Sequence, residues 1–372
     1  MIKARNKTVE VLYKNIMKPI FFKQDPEKVH DRMIKVGKML GSNPITRAIT
    51  TFNFGYSNDM LKQEVRGITF KNPVGLAAGF DKNAEIIKVI GATGFGYEEA
   101  GSITALQCDG NAKPRLWRLK ESKGLVVNYG LKSDGAKEVQ KRLENKKFKI
   151  PVGISIAKTN CRLTAKQEDG ISDYIESYRT LQNIGDYVTI NISCPNAYGG
   201  LPFTKPEDLD KLLGVINKEE KTKPIFIKFP PDVDEKQLDG MLETIGKYKI
   251  DGLIVSNLTK NRNNKFIKEK DLPEKGGVSG KPLTKMSTEL LRKIYKKTGD
   301  KYVLVGCGGI FTADDAYEKI KAGATLLQLI TGMIFEGPQM VGEINRGLVE
   351  KLKADGYKNI SEAVGVDVKN HE

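Results

Sequence analysis

Side chains capable of chemistry collect, in this chain of 372 residues, at the ends of short apolar runs. Cys194 stands in Asn191-Ile192-Ser193-Cys194-Pro195-Asn196. It is either an inert buried thiol or a general base held over a ligand. No histidine lies at the end of an apolar run to activate it, since the chain has only His30 and His371, so a protease-like thiol is not expected. Lys82, in Ala77-Ala78-Gly79-Phe80-Asp81-Lys82-Asn83, and Lys228, inside the apolar run 224–229, are expected to point inward. A lysine there needs a carboxylate or the polar edge of a ligand such as a flavin; the alternative is an ordinary surface lysine. Asn128, Asn191, Asn196 and Asn257 offer uncharged donors and acceptors, which suit the alternating C=O and N–H edge of a cyclic imide or ureide. Taken singly, each is as well explained as a turn or cap. Gly276-Gly277-Val278-Ser279-Gly280, Gly308-Gly309 and Thr331-Gly332 expose backbone N–H groups. One Gly-Gly pair is a turn, whereas three such loops together predict a phosphate-bearing ligand.

These residues need a frame. From residue 73 onward, β-branched-rich apolar runs alternate with amphipathic stretches, the βαβα pattern of a parallel sheet covered by helices. Strands are expected near 73–77, 95–100, 151–157, 187–193, 224–229, 252–256, 302–306 and 325–330. Eight parallel strands favour a closed (β/α)8 TIM barrel over an open doubly wound sheet. In such a barrel the C-terminal strand ends carry the working residues, and the reactive groups named above fall there. The long connections 101–150 and 257–301 are expected to add hairpins or lids over that end.

The first 45 residues read as an amphipathic helical extension to a barrel of residues 46–372. Val9, Leu12, Tyr13, Ile16, Met17, Ile20 and Phe21 recur at helical spacing, set against Lys14, Lys18 and Lys23. A second helix starts at Asp25-Pro26-Glu27 and carries Val29, Met33, Val36 and Leu40 on one face. The pair either packs on the barrel or forms a small apolar mouth on a membrane-facing surface. Charge supports a surface role: residues 1–50 hold 11 Lys/Arg and four acids, a net of +7 within the +15 of the chain. That excess suits anionic membrane; no groove-reading or base-stacking motif marks a nucleic-acid partner. Four cysteines without a C-x-x-C pair argue against zinc or disulfides, so no metal is expected and the cytoplasm is the default compartment. No run of 18 apolar residues exists to span a bilayer, and the start of the chain lacks a secretory h-region.

Several segments closely resemble the dihydroorotate dehydrogenase family of FMN-dependent (β/α)8 flavoproteins. The resemblance runs over roughly residues 15–350, through NPVGLAAGFDKNAE (72–85), GNAKPRLWRL (110–119), NISCPN (191–196), DGLIVSN (251–257), GGVSGKPL (276–283) and VGCGGI (305–310). DPEKVH at 25–30 is similar to the extension of the membrane-associated, quinone-using branch. The resemblance implies oxidation of dihydroorotate to orotate in pyrimidine biosynthesis, with electrons passed to a quinone. It implies FMN held by Ala78, Gly79, Lys82, Ser102, Ser155, Asn191, Lys228, Ser256, Gly280, Gly309 and Thr331. Lys82, Asn128, Asn191, Asn196 and Asn257 would hold the substrate, with Cys194 as base and Arg115 near the acceptor tunnel. It also implies a cytoplasmic protein peripherally associated with the membrane.

The sequence departs from the family pattern at identifiable places. Cys194 stands where the quinone branch has serine, as in the soluble branch that uses fumarate or NAD. Ala197 and Gly200-Leu201-Pro202 replace a threonine and a GLR segment, Ser155 replaces an asparagine, and Leu258 and Ile330 replace a threonine and a tyrosine. The segment at 128–131 is one residue shorter than usual. These changes leave open a related FMN oxidoreductase of another cyclic amide, fumarate or NAD as acceptor, and a flavin-binding protein without turnover. Without the motifs, a flavin-free barrel lyase or isomerase using Lys228 would also fit.

Overall fold

The computed structural model describes residues 2–198 and 202–369; Gly200, Leu201 and His371 lie outside the described residues. In chain order the strands are β1 (Gln63–Val65), β2 (Ile68–Phe70), β3 (Val74–Leu76), β4 (Tyr97–Ile103), β5 (Leu116–Leu119), β6 (Gly124–Val127) and β7 (Val152–Ile156). They continue with β8 (Tyr187–Asn191), β9 (Ile225–Phe229), β10 (Gly252–Val255), β11 (Gly277–Gly280), β12 (Val303–Cys307) and β13 (Leu326–Leu329). The eight expected strands are β3, β4, β7, β8, β9, β10, β12 and β13, and they pair in parallel, in chain order, until β13 closes on β3. The closed TIM barrel is therefore the fold, and the open sheet is excluded.

Strand periodicity explains how one sequence feeds two cores. Ile154, Ile156, Val188, Ile190, Ile225, Ile227, Leu253 and Val255 belong to the main cluster shared with the surrounding helices. The opposite parity, Tyr97, Tyr187, Phe226, Ile254, Val303, Val305 and Leu326, forms a second cluster inside the barrel. Both parities are buried, which is why these runs are apolar on successive residues. The antiparallel pair β1–β2 closes the lower end by adding Val65 and Phe70 to the inner cluster, with Phe70 edge-on to Tyr97 at 5.2 Å.

The long connections meet the expectation of added hairpins: β5 and β6 form one, and β11 joins it in a three-stranded antiparallel sheet. At the front, α1 (Ile2–Leu12) passes through a π-helical turn, Tyr13–Met17, into α2 (Lys18–Phe22). Next, α3 (Pro26–Ser42) begins as its sequence predicts, with Asp25 accepting the Lys28 N–H at 2.9 Å and Pro26 at the first helical position. The helical segment does not stop at 45. It runs on through α4 (Pro44–Phe54), whose Asn43 accepts from Ile45 N at 2.7 Å ahead of another first-turn proline. Glycines let α3 lie close: a Cβ on Gly37 would stand 2.9 Å from Ile86. Tyr13 is buried and donates to the Ile334 carbonyl at 2.7 Å, but Leu12, Ile16, Met17 and Ile20 stay about half exposed. No helix among the described residues is long and apolar enough to cross a membrane.

Candidate active site

The site rises in layers along the barrel axis. Above the inner apolar cluster, Glu99 is fully buried, and its Oε2 accepts from Thr189 Oγ1 (2.9 Å), Gln328 Nε2 (3.0 Å) and Tyr187 OH (3.4 Å). Its other oxygen lies 3.8 Å from Lys228 Nζ. Lys228 is thus inward and buried, as expected, yet its nearest carboxylate is beyond hydrogen-bonding distance. A buried ammonium with donors to spare faces the next layer, where a ligand's acceptors would satisfy it.

That next layer is the floor of a cavity of ≈ 450 Å³ that runs from the upper barrel rim out to α2 and α3. Ala78, Gly79, Ser102, Ser256, Gly280, Gly309 and Thr331 all line it. Two glycines are dictated by close approach. Gly309 has φ +73° and a Cβ there would meet Thr284 at 2.3 Å; Gly280 has φ +91° and would meet the Lys123 carbonyl at 2.4 Å. Ser279 Oγ and Thr331 Oγ1 are 2.8 Å apart beside them. Backbone N–H groups freed by such conformations are what a phosphate needs. The turn after β3 is fixed from below, because buried Asp81 accepts from Glu85 N and Ile86 N, both at 2.8 Å, and Gly79 N donates to the Gly101 carbonyl at 2.7 Å.

Over this floor stand Cys194, Lys82 and three asparagines. Asn191 is a hub: Nδ2 donates to Ser102 Oγ (2.8 Å), while Oδ1 accepts from Ser193 N (3.2 Å), Ser193 Oγ (3.1 Å) and Asn257 Nδ2 (3.3 Å). Asn196 donates to the Val127 carbonyl at 2.7 Å and so ties the cysteine loop to β6. Burial pushes the Cys194 thiol up to about 11, so the neutral thiol dominates at neutral pH. Lys82 Nζ sits 4.0 Å from the centroid of the Tyr129 ring and 3.3 Å from His30 Nε2. Its pKa is lowered to about 8, chiefly by burial. A thiol, a cation, clustered amides and a glycine cradle in one cavity fit proton abstraction from a cyclic amide beside a phosphate-bearing cofactor.

A profile of the family described as dihydroorotate dehydrogenase matches residues 60–352. The chain belongs to the dihydroorotate dehydrogenase family. A relative from Trichodesmium erythraeum, named dihydroorotate dehydrogenase (quinone), is 37% identical over 377 residues, covering 95% of this chain and 98% of its own. One of the same name from Nautilia profundicola is 39% identical, covering 95% and 97%. Among solved structures, a dihydroorotate dehydrogenase from Eimeria tenella in complex with ferulenol is similar with a TM-score of 0.81 and 29% identity, covering 92% of this chain and 96% of that one.

Not every residue that the family resemblance assigns reaches the cavity of this dihydroorotate dehydrogenase family member. Arg115 is buried away from its wall, held by Glu27 in a two-bond ion pair (2.8 and 3.1 Å) and by the carbonyls of Asp109 (2.6 Å) and Asn111 (2.8 Å). The arginine on the wall is Arg118, 4.7 Å over the Phe22 ring. The alternation of a strand explains the exchange, since Arg118 lies on β5, whereas Arg115 precedes it and turns back toward α3. Asn128 also turns aside, its Oδ1 accepting from Asn111 Nδ2 at 3.2 Å. Ser155 lies one step behind the wall, 2.8 Å from Ser102 Oγ, which it orients. Sequence reasoning missed His30, Tyr129 and Arg118, all on the wall. For His30 a signal existed: it is the last residue of the DPEKVH segment, one residue after the apolar-face Val29 of α3.

Proposed function

We propose that this protein oxidises dihydroorotate to orotate and passes the electrons to a quinone, with FMN as its resident cofactor. The observation that carries the reading is continuity: one cavity joins the glycine cradle and Cys194 to an apolar opening walled by Phe21, Val29 and Met33 of α2 and α3. The cradle fits FMN. Gly280, Gly309 and Thr331 would hold its phosphate; Ala78, Gly79, Ser102 and Ser256 would border the ring system, and Lys228 would satisfy its donors on the polar ring edge. FMN would supply the two-electron chemistry by accepting hydride from C6 of the substrate.

The protein's own groups do the rest. Lys82 would neutralise the substrate carboxylate, and Asn191, Asn196 and Asn257 would read its amide edge. Asn128 would join them by giving up its bond from Asn111. Cys194 would take the C5 proton as thiolate, which orients both departing hydrogens toward opposite partners. At the outer end, His30 and Arg118 are the polar groups that a quinone's carbonyls would meet in an otherwise apolar passage.

A peripheral membrane contact completes the reading. Leu12, Ile16, Met17 and Ile20, together with Ile45, Ile49 and Phe52 of α4, are exposed at 45–73%. Lysines accompany them, so the front end matches an anionic surface from which a lipophilic acceptor is drawn. The test is anaerobic mixing of FMN-loaded protein with dihydroorotate, followed by a quinone, fumarate or NAD. Bleaching of the flavin by dihydroorotate and recovery with quinone alone is expected; no bleaching, or recovery with fumarate or NAD instead, refutes the substrate or the acceptor respectively.

A further inference from the structure

His30 occupies an unusual junction. It lies on α3 where the cavity wall changes from polar to apolar, partly buried between the turn after β3 and the loop after β6. Its Nε2 is 2.7 Å from the Phe80 carbonyl and 3.3 Å from Lys82 Nζ; its Nδ1 is 3.2 Å from Asp31 Oδ1. Asp31 is half in solvent, with 49% of its side chain exposed. The chain of contacts therefore runs from bulk water through a carboxylate and an imidazole to an ammonium inside the cavity.

The geometry leaves one proton with several places to be. The Phe80 carbonyl and the Asp31 carboxylate each ask a ring nitrogen to donate, which favours imidazolium. Lys82 beside it favours the neutral ring, and burial lowers both groups, Lys82 to about 8. Other charged or titratable groups facing the trio are Lys132, from the loop after β6, Glu27 on α3, already paired with Arg115, and buried Asp81 beside Lys82 in the turn after β3. Tyr129 presents its ring, 6.3 Å from His30. None of these competes for Nδ1 or Nε2. Two groups that share a proton at this distance titrate as a pair, so small changes move the proton between them.

We propose that Asp31, His30 and Lys82 form a proton relay from solvent to the acceptor at this boundary of the cavity. The inference rests on the quinone reading above and deepens it. A quinone becomes hydroquinone by gaining two electrons and two protons. Hydride taken from C6 accounts for both electrons and one proton, while the C5 proton leaves through Cys194 at the other end of the cavity. One proton must therefore be supplied on the acceptor side. From the imidazolium, Nε2–H leaves the Phe80 carbonyl and breaks as the quinone O–H forms, Nδ1–H stays on Asp31, and Nε2 regains a proton from Lys82, which water recharges; from the neutral Nε2–H ring, the same bond breaks as Nδ1 takes a proton from water through Asp31.

With only two histidines in the chain, imidazole NMR of the FMN-loaded protein gives two signals, and His30→Gln identifies one of them. The His30 midpoint is expected to rise in Lys82→Met and fall in Asp31→Asn, because the first removes a repelling cation and the second an attracting anion. Rapid-mixing reoxidation by a soluble quinone should slow roughly 10²-fold in His30→Gln. In His30→Ala, added imidazole should restore much of the rate. A midpoint indifferent to both neighbours, reoxidation at the native rate in His30→Gln, or a defect that imidazole does not relieve overturns the relay. Failure of dihydroorotate to reduce the protein would instead refute the functional reading, and the two results are distinguishable because the coupled titration needs no substrate.

Discussion

The proposed role of Cys194 as base makes a quantitative demand on the first half of the reaction. The base must be ionised to accept the C5 proton, and burial holds this thiol up at about 11. At pH 8, roughly one molecule in a thousand then carries the thiolate, and each further pH unit raises that fraction about tenfold. The rate constant for flavin reduction at saturating dihydroorotate, where the bound carboxylate keeps Lys82 charged, should climb about tenfold per unit from pH 7 to 10 and bend near 11, whereas at low substrate the loss of the Lys82 charge above about 8 offsets that rise. The sign follows from the active form being the deprotonated one. Cys194→Ala should keep the flavin and lose about 10²- to 10⁴-fold in reduction, with the slope gone. Cys194→Ser should retain a slower reaction whose rise continues past the native bend, since a hydroxyl ionises at still higher pH. The assay is anaerobic stopped-flow absorbance after a pH jump, which limits time at alkaline pH. A native profile that is already flat between pH 7 and 9, or near-native reduction in Cys194→Ala, would refute the assignment.

Three further outcomes are open to measurement. Gly309→Ala should abolish flavin retention, read as lost visible absorbance, because a methyl at φ +73° and 2.3 Å from Thr284 costs on the order of 1–3 kcal/mol in strain and displaces the loop. Lys319 is fully buried, bonded to Ser287 Oγ (2.6 Å) and Thr288 Oγ1 (2.9 Å), and burial lowers it from 10.5 to about 8. Below pH 8 it is charged in folded and unfolded chains alike and the penalty is full; between about 8 and 10.5 only the unfolded chain holds the proton, so stability should rise with pH by up to ~3 kcal/mol. Urea midpoints at pH 7.5 and 10 should show this contribution missing in Lys319→Met, while the separately depressed Lys82 still gives a rise of its own. Finally, flotation with anionic vesicles should be lost in Ile16→Glu/Ile20→Glu and weakened by about 1 M salt in the native protein, whereas equal flotation of both proteins would detach the front end from the membrane.

Much of the fold was legible because the barrel repeats a simple rule. Eight runs that are largely apolar on successive residues read as buried on both faces, and each maps onto one barrel strand. Glycines and lysines at strand ends were legible for a related reason, since a cavity floor imposes backbone angles and unpaired charges that few residue types satisfy. What stayed hidden depends on where a side chain turns. Arg115 and Arg118 stand three residues apart in one motif, and the Glu27 carboxylate, distant in sequence, together with the local backbone carbonyls of Asp109 and Asn111, draws Arg115 off the wall. Asn128 is equally undecidable, because its partner Asn111 lies across the β5–β6 hairpin. The helix at Pro44–Phe54 repeats the signal of α3, a capping side chain followed by proline, but its apolar residues Ile45, Ile49 and Phe52 are exposed and face no core.

The ion pair between Glu27 and Arg115 carries a mechanical implication. Arg115 is fastened at once to the first turn of α3 and to the backbone of the segment that positions Asn111 and Asn128. The proposed acceptor vestibule and substrate rim are therefore one rivet apart, with α3 tied directly to the β5–β6 region. A bulky molecule wedged under α3 would strain the same rivet, so blocking the acceptor's doorway should register as altered geometry where dihydroorotate is gripped, with no direct contact between the two occupants.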